Sequence, residues 1–319
     1  MKNSPTLLAV GGAHIDRRGQ IAGEHAPGAS NPGTMREEVG GGVFNAAAAA
    51  RQMGARVMFL SARGGDAQGN AVAKAIEAAG LEDLSSTFLD RRTATYTAIL
   101  DRSGDVITAL ADMSIYESAL PRQISRRKTR DAITASDAIL ADANMPADSI
   151  RRLLALANGK PVFMIAISPA KAVRLQGLLA GLHCLFMNRR EAIALAGFGP
   201  QDDPGPAQVL SRLTAEGLKR AVVTDGPNEA LLLEDGGISS VTPPIAKLIA
   251  DVTGAGDALA GVASAMMLDG KGFAPSVRAG MAAAAATIEN RNANIDLRKN
   301  RRFSELLAEM DCNEEPDNA

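Results

Sequence analysis

The segment Asp251-Val252-Thr253-Gly254-Ala255-Gly256-Asp257 places small residues and a carboxylate directly ahead of a stretch with helical spacing of apolar residues, beginning near Ala258. Small residues at a helix start leave several backbone N–H groups unpaired and open to approach, and the helix dipole adds positive potential there. Such a site suits a phosphate, or the charge that develops on a transferring phosphoryl group. Asp257 has two readings. It caps the helix, as Asp commonly does, or it takes a proton from an attacking hydroxyl, since a carboxylate serving only as a cap repels the anion the amides attract. A second segment, Gly40-Gly41-Gly42-Val43-Phe44-Asn45-Ala46, opens a helix that runs to about Met53. Its glycines allow close approach of a ligand to the backbone, and Asn45 offers one acceptor and two donors to sugar hydroxyls. The plainer alternative is a tight turn into a helix. A third segment, Asn188-Arg189-Arg190-Glu191, sets an amide and a carboxylate at a strand end. Both can face the water shell of Mg²⁺, which prefers oxygen ligands and keeps its waters, or Glu191 is an ordinary acidic residue of a helix's first turn. The glycine run does not fit GxGxxG, and no GxxxxGK[ST] occurs, which excludes a P-loop.

These groups need a scaffold. Short apolar runs alternate with helical segments, and strands are expected over 7–11, 57–61, 139–141, 162–167, 184–187, 221–224 and 230–233, most of them flanked by Gly, Pro, Asp or Asn. Between them Val72, Ala75, Ile76 and Ala79 fall at helical spacing, as do Leu259, Val262, Ala263, Met266 and Met267. The alternation predicts an α/β fold, a mainly parallel sheet with helices on both faces. One stretch departs from it. Residues 94–100 and 106–110 are strand-like and joined by Asp101-Arg102-Ser103-Gly104, a hairpin signal. Residues 16–38 are irregular and rich in Gly, Pro, Ser and His. The two together make either a small accessory sheet that acts as a lid, over about 14–38 and 91–114, or an edge hairpin and a surface loop. No repeat and no linker interrupts the chain, which reads as one domain over 1–319. The basic cluster Arg122, Arg126, Arg127, Lys128 and Arg130 reads as a solvated helix face, and the acidic, polar end over 311–319 is expected to fray.

The chain has 319 residues, with 34 Lys and Arg against 36 Asp and Glu for a net charge of −2. That balance argues against a dedicated nucleic-acid binder, which carries a basic excess or stripe. Hydrophobic residues make up 46% and aromatic ones 3%, with no Trp. The first figure excludes a mainly disordered chain, and the second argues against single-strand binding by stacked bases. Cys184 and Cys312 stand far apart, outside any metal-ligand spacing, and read as free thiols of a reducing compartment. The longest apolar stretch, 258–268, is far short of the roughly 20 residues that span a bilayer, and the run over 7–10 is too short for a signal-peptide core. A cytoplasmic protein without membrane contact is expected. His14, His25 and His183 have no ligand spacing, although His14 lies close enough to Asp16 to touch a ligand.

The three chemical segments, in this order, resemble the PfkB, or ribokinase-like, family of sugar and nucleoside kinases. The glycine run with Asn45, continued by Gly65-Asp66-Ala67-Gln68-Gly69, is similar to the family's first signature. Asp251 to Asp257 is similar to its second, D-T-x-G-x-G-D, with Val252 at a tolerated position, and Asn188 to Glu191 resembles its N-x-x-E element. The resemblance spans about 7–294 and implies a ribokinase-like fold with a small β-sheet lid. It also implies roles. Asp257 would deprotonate the acceptor hydroxyl, and Gly254, Ala255 and Gly256 would form the anion hole. Asn188 and Glu191 would help hold Mg²⁺ on ATP through water, and Thr224 and Gly226 would lie against ATP. Asp16, Gly41, Gly42 and Asn45 would bind sugar or ribose hydroxyls. Asp251 and Thr253 resemble positions of a monovalent-cation (K⁺) site in some members.

Within the family a narrower likeness is to pseudouridine kinases. Ser30-Asn31-Pro32-Gly33 resembles their S-N-P-G, the hairpin with Tyr96 and the stretch with Met113 resemble their lid, and 142–145 and 168–171 are also similar. This implies transfer of the ATP γ-phosphate to the 5′-hydroxyl of pseudouridine, with Ser30, Asn31, Tyr96 and Met113 at the substrate. A ribokinase, an adenosine or inosine kinase, another sugar kinase, and a non-catalytic nucleoside or sugar sensor are the alternatives. Two departures stand out: Ile165-Ala166 replaces a frequent Asp-Pro, and no Pro precedes Asn188. Exposed edges of a lid sheet can pair two subunits, so a homodimer through the lid fits. Scarce aromatics leave Phe44, Tyr96, Tyr116 and a few other Phe to stack on a base.

Overall fold

The structure, a computed structural model, describes residues 4–199 and 201–312, the last two by main chain alone. The Arg301–Cys312 helix carries the chain to its described end. The rest of the expected frayed tail, and the Cys312 side chain, lie outside the described residues.

Nine strands form the main sheet, in the order Gly237–Val241, Asn228–Glu234, Arg220–Asp225, Cys184–Asn188, Val162–Ile165, Ala138–Asp142, Thr6–Val10, Arg56–Leu60, Glu82–Asp83. Seven run parallel, and the first two complete one edge as an antiparallel meander. The central strands read as unbroken apolar runs because both faces are covered. Leu7 and Ala9 enter one core with Phe59, Leu140 and Phe163, whereas Leu8 and Val10 enter the opposite core with Leu60, Ile139 and Met164. Each fully buried Leu, Ile, Val, Phe or Met side chain among them contributes about 1.5–3 kcal/mol.

On the first face pack the helices Gly42–Gln52, Ala255–Leu268 and Phe273–Ile288. The facing sides of the first two are built from Ala and Gly. A Cβ on Gly261 would sit 2.1 Å from the carbonyl oxygen of Ala46, so only glycine lets these helices approach this closely. That contact sets the distance between Asn45 and Asp257. The second face is covered by Ser114–Ile124, Ala147–Ala157, Arg189–Leu195 and Pro206–Ala215, through Tyr116, Leu120, Leu153, Leu195 and Leu210.

A separate four-stranded sheet has the order Gly33–Gly40, His14–Ile21, Thr95–Leu100, Val106–Asp112. The hairpin expected from 94–110 is its right half. The segment expected to be irregular, 16–38, instead contributes two paired strands joined by a loop over 22–32. Their pairing rests on charge rather than apolar alternation: Arg17 Nε donates to Glu37 Oε1 at 2.7 Å across the ladder. The strand expected over 162–167 stops at Ile165, since Ile167 takes a left-handed φ of 73° that ends extended backbone. The helix expected from about Ala258 begins at Ala255. Among the described residues no helix is long and apolar enough to cross a membrane, and Cys184 is a buried free thiol.

Candidate active site

The C-terminal ends of the parallel strands and the first turns of the helices that follow them surround one cavity of about 960 Å³. Gly254, with φ 80°, is the N-cap of the Ala255–Leu268 helix and makes no side-chain cap bond. A Cβ there would meet that of Ala293 at 2.6 Å, so glycine is required on both counts. Ala255, Gly256 and Asp257 form the first turn, whose N–H groups have no partner within the helix, and all three line the cavity.

Asp257 therefore lies inside the helix, not at its cap. Its Oδ2 accepts from Asn45 Nδ2 at 2.9 Å, and Asn45 Oδ1 in turn accepts from Asn294 Nδ2 at 2.8 Å. Deep enclosure pushes the Asp257 carboxyl up to about 7; the Asn45 hydrogen bond opposes this, the charges of Asp142 and Asp16 add to it, and His14 opposes it. A carboxyl held near neutrality takes or gives protons at working pH.

Asp16, Gly41, Gly42, Tyr96 and Met113 line the same end of the cavity as Asn45. His14 is beside them, with Nε2 at 3.1 Å from Asp16 Oδ1. Of the aromatic stacking candidates, Tyr96 and Phe186 line the cavity. Phe44 packs edge-on against Phe59, and Tyr116 is fully buried with its hydroxyl donating to Ala13 O at 2.7 Å. At the other end stand Asn188, Glu191, Thr224, Gly226 and Thr253. Asn188 and Glu191 form a reciprocal capping box: Asn188 Oδ1 accepts from Glu191 N–H at 3.0 Å and Glu191 Oε2 from Asn188 N–H at 2.9 Å. Burial pushes the Glu191 carboxyl above its usual range, against the Asn188 hydrogen bonds. The box engages one carboxylate oxygen, so the pair still fits a water-mediated contact to Mg²⁺. Among the described residues no group of three or more His, Cys, Asp or Glu converges on a metal site.

Four sequence candidates are not among the lining residues: Gly254, the helix N-cap described above, and Ser30, Asn31 and Asp251. The Asn31 side chain closes its own exposed loop, accepting from Ala26 N–H and donating to the carbonyls of Ala26 and Ala29. Asp251 sits behind the cavity wall in an ion pair with Arg18.

Other residues at the site carry no signature of their own in sequence. Asp142, fully buried, accepts from the N–H groups of Gly12, Val43 and Asn144 at 3.1, 3.2 and 3.0 Å, which ties the loop after the first strand to the start of the Gly42–Gln52 helix. Lys171 donates to Asn144 Oδ1 and lines the cavity, its ammonium held below the usual lysine value by burial. The only signal for these was the family-like stretches 142–145 and 168–171. Ile245, Ile249 and Val252, each largely exposed, add apolar surface to the cavity lining.

Comparison with known proteins gives the family and the fold. The family described as pfkB family carbohydrate kinase matches residues 5–300. A solved carbohydrate kinase from Agrobacterium tumefaciens is 43% identical, with TM-score 0.81 over 95% of this chain and 97% of its own. The pseudouridine kinase of Escherichia coli K12 is 29% identical over 279 residues, 87% of this chain and 88% of its own length. A ribokinase of Arabidopsis thaliana, solved with ribose and ATP, shares the fold at TM-score 0.83 and 21% identity, covering 95% of this chain and 99% of its own.

Proposed function

The chain belongs to the pfkB family of carbohydrate kinases, phosphotransferases that act on a hydroxyl group, and on that premise we propose that it transfers the γ-phosphate of ATP to the 5′-hydroxyl of pseudouridine. The observation that carries the reading is the Asp257 carboxyl beside the open first turn of the Ala255–Leu268 helix, hydrogen-bonded to Asn45 in a cavity shared with Asp16.

The roles follow from that geometry. Asp16, Asn45 and the backbone at Gly41 and Gly42 hold the ribose hydroxyls. Asp257 takes the proton of the attacking hydroxyl as the new O–P bond forms. The bond from Pγ to the bridging oxygen breaks, and ADP leaves. The N–H groups after Gly254 meet the oxygens of the transferring group. Aligned amide donors of this kind carry much of the catalysis in such transfers, which need positioning and charge stabilisation rather than a covalent intermediate. Thr224, Gly226 and the apolar surface of Ile245, Ile249 and Val252 receive the nucleotide. Bound with the nucleotide, Mg²⁺ would supply neutralising charge for its phosphates, and Asn188 and Glu191 would hold its water shell.

The small sheet serves as the lid. Asp16 and Tyr96 are direct cross-strand neighbours on it, so one rigid pair presents a carboxylate to the ribose and a ring to the base. Closing it over the acceptor excludes water and suppresses loss of phosphate to hydrolysis. The choice of pseudouridine rests on the likeness to the E. coli pseudouridine kinase and on the lid sequence. Purified protein with ATP and Mg²⁺ is offered pseudouridine, uridine, adenosine, inosine, ribose and fructose separately. The highest kcat/KM is expected for pseudouridine. Preference for another acceptor overturns the substrate and keeps the kinase. Tight nucleoside binding with no transfer to any acceptor overturns both and indicates a sensor.

A further inference from the structure

The likeness to cation-binding family members places a monovalent cation at Asp251 and Thr253, and the donor set here does not fit one. Asp251 Oδ1 accepts from the Thr253 N–H at 2.9 Å, and Oδ2 accepts from Arg18 Nη1. Arg36 Nη2 lies 4.0 Å from the same Oδ2 and is itself anchored on the Arg291 carbonyl at 2.6 Å and on Glu38 at 3.1 Å. The Arg18 and Asp251 side chains are each only 18% exposed. Burial raises the Asp251 carboxyl, but Thr253 and Arg18 outweigh it and hold the group below the usual aspartate value. A soluble cation would meet a guanidinium that cannot lose its charge, with a second one beside it.

The position of Arg18 gives this pair its consequence. His14, Asp16 and Arg18 alternate along one strand and so share one face of it. The first two line the cavity. The third grips the turn that leads into the Gly254 N-cap. We infer that Arg18 is a positioning residue whose guanidinium stands as the built-in cation of the 251–254 turn: it fixes the helix start that meets the phosphoryl group, joins it to the strand that holds the acceptor, and makes turnover independent of K⁺. The inference rests on the phosphoryl-transfer reading of the site.

The test measures acceptor-dependent ADP formation by wild type, Arg18→Lys and Arg18→Gln, with Mg²⁺ present and tetramethylammonium or K⁺ as the monovalent cation. The expected wild type is indifferent to K⁺, and Arg18→Lys stays so. Arg18→Gln is expected to lose about 10²-fold in kcat, the scale set by misplacing aligned groups, with KM for both substrates little changed, and to regain part of the loss with K⁺. A merely structural role does not produce that regain. A wild type that requires K⁺, an Arg18→Gln variant with wild-type kcat, or a loss that K⁺ leaves untouched overturns the inference. If wild type turns over no acceptor, the kinase reading fails by itself, and the pair is judged by thermal melts and ADP calorimetry on Arg18→Gln, Asp251→Asn and the double variant. Non-additive losses support the coupling of lid strand and turn, and additive losses overturn it.

Discussion

In the proposed mechanism Asp257 is the base, and its setting makes a signed prediction about pH. A base must be ionised to accept a proton, and with its carboxyl near 7 the enzyme's kcat/KM is expected to fall about tenfold per pH unit below neutrality and level off above it. Asn45 stabilises the ionised form through its 2.9 Å hydrogen bond. Asn45→Ala removes that donor, so the carboxylate is less favoured, its pKa rises, and the acid limb of the profile moves to higher pH. A limb that stays in place or moves down contradicts the assignment. The motif D-V-T-G-A-G-D made Asp257 visible in sequence, but cap and base were equal readings there. The structure removes the cap reading, because the helix starts three residues earlier than the apolar spacing implied. Spacing alone cannot register that, because Ala255 and Gly256 carry no periodic signal; the base reading came from the family resemblance. Asn31 shows a different case: a turn-forming residue that resembles a ligand contact has its side chain engaged within its own loop.

At the scale of elements, the site depends on where one helix begins and on how closely two helices touch. Gly254 serves the first requirement. Gly254→Ala puts a side chain at φ 80° and within 2.6 Å of the Ala293 Cβ. The strain is about 1–3 kcal/mol, so the melting temperature is expected to drop by a few degrees. At 25 °C, where the variant remains folded, kcat is expected to fall much further than the folded fraction does, because the amides of the first turn move off the phosphoryl group. Equal loss of stability and activity would show that the turn only shapes the fold. Seven of the nine main-sheet strands were legible because each carries an apolar run, whereas the two edge strands, Glu82–Asp83 and Gly237–Val241, are largely exposed and gave no such signal. The strands His14–Ile21 and Gly33–Gly40 were not legible either, since a sheet open on one side and held by Arg17–Glu37 and Arg18–Asp251 pairs lacks that pattern. Ile167 is similar: nothing in Ile165-Ala166-Ile167 announces a left-handed φ at a β-branched residue.

Across the whole molecule, two sheets meet at one cavity. The larger brings strand ends and helix starts to it, and the smaller brings Asp16 and Tyr96. With a net charge of −2, the protein has no overall field to draw in a polyanion, so binding must rest on local devices: the free amides after Gly254 and the cation that travels with the nucleotide. The fold class could be read from sequence because alternation of strands and helices is a whole-chain pattern. The contacts that complete the site, such as Asn294 to Asn45 and Arg18 to Asp251, join residues more than 200 positions apart and exist only once the chain has folded. The most direct test of the account compares wild type with Asp257→Asn on ATP, Mg²⁺ and pseudouridine, following the product by phosphorus NMR and mass spectrometry and ADP affinity by calorimetry. The account predicts a 5′-phosphomonoester from wild type and, from the variant, ADP binding of wild-type strength with transfer slowed by about 10²–10⁴-fold. Transfer by Asp257→Asn at the wild-type rate, or ATP cleavage by wild type with no phosphomonoester formed, would contradict it.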